Sequence, residues 1–132
     1  MKDSLHMPIH LKRDWNNQIH FLFFFFYQVI FVRDRVKIAR EFAETIKSDD
    51  IKLIMLFGSV ARGDDNEESD IDILIVSPIA DKIKPEIHKI AIDIILEKDE
   101  VISPRVMTED EFKKAQDYPF LSNALKEGLV IG

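Results

Sequence analysis

The sequence predicts a small α/β (α+β) domain over residues 36–132, preceded by a segment of different composition. Two observations carry this reading. Short apolar runs of strand length, such as Ile51–Phe57 and Ile71–Val76, alternate with stretches whose apolar residues recur at helical spacing. The resulting order, helix, strand, loop, strand, strand, helices, is that of one compact unit with helices packed on a sheet. A chain of 132 residues supplies one hydrophobic core and is too short for two.

The first helix is expected from Asp34 to Lys47. Ile38, Phe42 and Ile46 recur every four residues with Ala39 and Ala43 beside them, and Ser48-Asp-Asp50 ends the pattern. Ile51–Phe57 is a continuous apolar run stopped by Gly58, the pattern of a strand buried on both faces. Asp70–Val76 alternates in its first half and stops at Ser77-Pro78, giving a second strand. Lys89–Leu96 reads as a third strand and Val101–Met107 as a short fourth. Thr108-Glu-Asp-Glu111 has the spacing of a capping box, which predicts a helix over Glu109–Gln116. Pro119 suits the first turn of a last helix, with Gly128 as its left-handed stop and Leu129–Ile131 as an edge strand.

Composition narrows the function. Eighteen Lys and Arg against 24 Asp and Glu give a net charge of −6, and residues 36–132 alone carry −8. No broad basic surface is available for a phosphate backbone, so nucleic acid is not an expected partner. The absence of cysteine removes disulfide frameworks, thiolate zinc sites and thiol nucleophiles, and agrees with a cytoplasmic location.

Residues 1–35 form an atypical apolar extension. Six of the ten phenylalanines lie between Phe21 and Phe31, yet the run Phe21–Val32 falls short of the roughly twenty residues that cross a bilayer. Arg33-Asp-Arg-Val-Lys37 follows where a cleaved leader would show small residues, so neither a membrane span nor a signal peptide is expected. Two readings stay open: an apolar lead-in element packed on the domain or a partner, or sequence translated from upstream of the native start. Arg13 and His20 have the Arg-x6-His spacing of a HEPN (higher eukaryote and prokaryote nucleotide-binding) ribonuclease motif, but no helical bundle surrounds them, and the spacing is common by chance.

The chemistry concentrates between Phe57 and Ile73. A buried strand ending at Gly58-Ser59 before a helical turn gathers backbone N–H groups and a hydroxyl where a triphosphate could sit. Ten residues later Asp70 and Asp72 project to one face of a strand, and two adjacent carboxylates repel unless a cation lies between them. Mg²⁺ suits such oxygen ligands. Asp93 is the one charged residue in the apolar run Ile90–Leu96; were that strand to neighbour the Asp70/Asp72 strand, three carboxylates would converge as two-metal nucleotidyl transfer requires. A structural carboxylate is the other reading of Asp93.

The pattern Gly58-Ser59, ten residues, Asp70-x-Asp72 resembles the GSx10DxD signature of the DNA polymerase β-like nucleotidyltransferases, and Gly58-Ser-x-Ala-Arg-Gly63 with Ser69-Asp-Ile-Asp-Ile73 resembles their minimal, stand-alone members. The resemblance covers residue 36 to the C-terminus. It implies the nucleotidyltransferase fold, a small mixed sheet flanked by helices. It implies that Gly58 and Ser59 bind the triphosphate of ATP, that Asp70 and Asp72 hold two Mg²⁺ ions, and that Asp93 completes one metal site and helps deprotonate the acceptor. Arg62 would touch the triphosphate or, equally, pair at the surface with Asp64 or Asp65. Minimal members are typically antitoxins that move AMP from ATP to a tyrosine of a HEPN toxin, so a hetero-oligomer with such a partner is implied. Transfer to a small molecule, and a non-catalytic module that neutralises its partner by occlusion, are the alternatives.

Overall fold

The computed structural model describes residues 18–23 and 35–132. The chain divides into two units, Met1–Arg33 and Asp34–Gly132. Within the first, residues 18–23 are helical; Arg13 and most of the phenylalanine run lie outside the described residues. Among the described residues no helix is long and apolar enough to cross a membrane.

The second unit begins with helical residues 35–46 (α1), whose Ile38, Ala39, Phe42, Ala43 and Ile46 are buried on one stripe, as their spacing predicts. There follow β1 (Leu53–Phe57), α2 (Gly58–Arg62), β2 (Ile71–Val76), α3 (Ala80–Lys98), β3 (Ile102–Met107), α4 (Glu109–Ala115), α5 (Pro119–Lys126) and β4 (Leu129–Val130). The four strands form one mixed sheet in the order β3-β2-β1-β4. β1 runs antiparallel to β2 and β4, and β3 runs parallel to β2 across the α3 crossover.

Alternation along the strands sorts side chains into two layers. Ile54, Leu56, Ile71, Ile73, Ile75, Ile102 and Val106 pack with α1 and α3, forming the larger core. On the opposite face Phe57, Leu74 and Val76 pack with Met107, Phe112, Ala124 and Leu125, so α4 and α5 contribute to that side. Thr108 caps α4 as expected: the Glu111 N–H donates to Thr108 Oγ1 at 3.2 Å, while Glu111 Oε1 reaches back to the Thr108 hydroxyl, which donates to it at 3.3 Å, rather than to its backbone N–H.

Two sequence expectations are corrected. Lys89–Leu96 is not a strand but the second half of the 19-residue α3. Ile83, Ile87, Ile90, Ala91 and Ile94 recur at helical spacing and meet the core, whereas Ile92 and Leu96 are exposed. Pro85 masks that periodicity because it breaks most helix interiors, but here it stands in the second turn, near the N-terminal end where few helical bonds are lost. Gly128 does not adopt a left-handed conformation; only Gly58, Gly63 and Asp99 have positive φ among the described residues. A Cβ at this position would meet the Met55 side chain, which would have to shift to make room.

Candidate active site

The site is built at one end of the sheet, where β1 stops and β2 starts. Phe57 and Asp72 are register partners, so the end of β1 delivers Gly58 directly beside the first residues of β2. Gly58 has φ of +75°, and a Cβ on it would collide with Asp72 Oδ2. A side chain here is therefore excluded twice, by backbone conformation and by the carboxylate. The chain then enters the five-residue α2, with Ser59 in its first turn and Gly63 (φ +80°) as its left-handed stop, the Gly63 N–H donating to the Ser59 carbonyl at 2.9 Å.

The loop from Asp64 to Asp70 is held by two devices. Asn66 organises its tip: its side-chain oxygen accepts from the Glu68 N–H at 2.9 Å, and its own N–H donates to Ser69 Oγ at 3.0 Å. Arg35, at the start of α1 and fully buried, reaches the loop from beneath. Its guanidinium donates to Asp65 Oδ2 (3.2 Å), the Asn66 carbonyl (2.6 Å) and the Glu67 carbonyl (3.0 Å), while Nε pairs with Glu100 Oε2 at 3.1 Å. One cation thus ties α1, the loop before Asp70, and the approach to β3 together.

Asp70 is exposed just ahead of β2, and Asp72 is half-buried two residues on. Burial pushes the Asp72 carboxyl above the usual carboxylate range and the Asp70 charge adds to this, against weaker downward pulls from Arg105 and Arg62. Two such neighbouring carboxylates suit a hard cation with oxygen ligands, and the absence of a side chain on Gly58 lets the Asp72 carboxylate lie against the backbone of the turn.

A cleft of about 360 Å³ is lined by Phe57, Gly58, Ser59, Arg62 and Asp72, by Asn123 and Ala124 of α5, and by Glu127, which caps that helix. Arg62 spans its mouth. Its Nε donates to Asp64 Oδ2 at 3.2 Å and one terminal nitrogen lies 3.6 Å from Glu127 Oε2. Arg62 therefore borders the cleft and pairs with Asp64, whereas Asp65 belongs to Arg35.

The structure brings Gly58, Ser59, Arg62, Asp70 and Asp72 together and leaves Asp93 out. Asp93 is exposed on α3, and α3 packs on the sheet face opposite to the one Asp72 points to. The expected third carboxylate fails because the strand it was placed on is a helix. The strand that does adjoin β2 on Asp72's side is β3, where Ser103 is the register partner of Asp72 and Arg105 that of Leu74. Among the described residues no group of three metal-ligating side chains occurs. Asn123, Glu127, Ser103 and Arg105 are site-flanking residues that the sequence reading missed; the only sequence signal for the last two was the short apolar run around them.

The family model of the nucleotidyltransferase domain matches residues 36–131. The chain belongs to that family. It is 40% identical over 98 residues to a protein of Methanocaldococcus jannaschii named "Putative protein adenylyltransferase MJ0604", covering 72% of this chain and 95% of that one. It is 36% identical over 102 residues to a second protein of that organism, "Putative protein adenylyltransferase MJ0141", covering 73% and 97%. A solved structure titled as a "putative nucleotidyltransferase" from Sulfolobus solfataricus is 21% identical with a TM-score of 0.48, covering 78% of this chain and 84% of that one.

Proposed function

We propose that this nucleotidyltransferase moves AMP from ATP to a protein hydroxyl, a tyrosine of a HEPN-type toxin being the acceptor that the family resemblance implies, and so acts as the antitoxin of the pair. The observation that carries the reading is the placement of Asp72, with the exposed Asp70 two residues before it, in the wall of the cleft that also holds the Gly58-Ser59 turn. The names of the two archaeal relatives support a protein as acceptor.

In this reading Gly58 lets the triphosphate approach the backbone and Ser59 offers a hydroxyl donor. Arg62 is already poised between two carboxylates at the cleft mouth and exchanges one of them for a phosphate oxygen. Asp70 and Asp72 would hold Mg²⁺, which when bound neutralises phosphate charge and makes the acceptor hydroxyl more acidic. The acceptor oxygen bonds to the α-phosphorus, the bond from that phosphorus to the α,β-bridging oxygen breaks, and pyrophosphate leaves. The hydroxyl proton passes to water, which reaches the site on the exposed Asp70 side.

The test is incubation of the purified chain with Mg²⁺, lysate of its source cells and ATP labelled on the α-phosphate. Label on a protein band, lost with Asp70→Asn, is expected. No labelled protein together with a stable co-purifying partner would contradict the reading and favour neutralisation by occlusion. Label recovered on a small molecule would move the acceptor to that class.

A further inference from the structure

Two-metal transfer calls for a third carboxylate beside the aspartate pair, and β3, which runs parallel to β2 with Ser103 level with Asp72, is a strand on which one would stand. That strand presents a hydroxyl and a cation instead. In the parallel register Ser103 stands beside Asp72, and Arg105, one pleat further along the same face, stands beside Leu74. Met107, the next residue of that face, packs in the cluster containing Leu74 and Val76, which fixes the orientation of the whole strand. Ser103 and Arg105 thus share the face of Asp72.

We infer that the site takes a single divalent cation, on Asp70 and Asp72, and that Arg105 occupies with a fixed positive charge the flank on which a second ion would need its carboxylate. The inference rests on the nucleotidyl-transfer reading above and refines it. A dication brought to that flank would meet a like charge and a neutral hydroxyl rather than an anion.

The test counts cations rather than turnover. The full chain is titrated with Mn²⁺, alone and with α,β-methylene-ATP, and followed by electron paramagnetic resonance. One Mn²⁺ per chain is expected in both titrations, with no spectral coupling to a second ion and with loss of the site in Asp72→Asn. Arg105→Gln should bind that Mn²⁺ several-fold more tightly, because a repelling charge is gone, a change that a purely structural surface arginine would not produce. Ser103→Asp combined with Arg105→Gln should admit a second, coupled Mn²⁺; if that variant does not fold, the wild-type count and the Arg105→Gln affinity decide. Two coupled ions in the wild type, an unchanged affinity in folded Arg105→Gln, or a site indifferent to Asp72→Asn would overturn the inference. The count does not depend on the acceptor, so a transfer assay that labels no protein would refute adenylylation of protein and leave this result intact.

Discussion

The α-carbon of Gly58 lies so close to the Asp72 carboxylate that no side chain fits between them, and its backbone has φ of +75°. This contact joins the turn that would take the triphosphate to the carboxylate that would take the cation. Alanine at 58 must then displace the carboxylate and adopt an unfavourable backbone conformation. Gly58→Ala is expected to lose about 1–3 kcal/mol of stability, from the strained backbone, and most of its transfer activity. Urea unfolding with a parental midpoint and parental activity would show that the contact does not constrain the site.

Asp72 carries a cost in the cation-free protein. Because its carboxyl is held above the ordinary range, chiefly by burial, the folded chain binds this proton more tightly than the unfolded chain does. The group's contribution is therefore most favourable at low pH and falls as pH rises through the ordinary carboxylate range to the folded value. Asp72→Asn should raise the melting temperature at pH 7 without divalent cation, and the gain should vanish near about pH 3, where the carboxyl is neutral in both states. The same variant should abolish transfer. A melting temperature lowered at pH 7 would contradict the burial cost.

Arg35 is the counter-ion of two buried or nearly buried carboxylates, Asp65 and Glu100. Removing it strands both and frees the loop that leads into Asp70. Arg35→Met, which keeps much of the volume, is expected to cost about 3–5 kcal/mol, the usual penalty for breaking a buried ion pair. Denaturant titration would measure it, and a loss below about 1 kcal/mol, the scale of surface pairs, would show that water replaces the guanidinium without difficulty.

Asp93, exposed on α3, is expected to be dispensable. Asp93→Asn should leave kcat/KM within about twofold of the parent, the range of a surface substitution below 0.5 kcal/mol. A loss of a hundredfold in steady-state transfer would return this carboxylate to the chemistry.

Much of this architecture is legible in the residues. Strand patterns around Leu56 and Ile73, the capping box at Thr108 and the edge strand at Leu129 are local signals, and local physics decides them. The candidate site is legible for the same reason at Gly58, Ser59, Asp70 and Asp72, which lie within fifteen residues of one another and need only one antiparallel register to meet. What escaped is non-local. Ile90–Leu96 is apolar enough for a strand, and only packing against the sheet selects the helical stripe through Ile87, Ala91 and Ile94. Mistaking that helix for a strand moved the neighbour of β2 one element too early, so Asp93 took the place that Ser103 and Arg105 fill. The Arg35 anchor joins residues some thirty and sixty-five positions apart, a relation that no spacing rule exposes.

The most direct measurement is the intact mass of the partner protein recovered after co-expression with this chain. With the wild type, whole AMP increments on the partner are expected, and with Asp72→Asn none. A partner of unmodified mass, neutralised equally by both versions, would contradict catalysis at the Asp70/Asp72 pair.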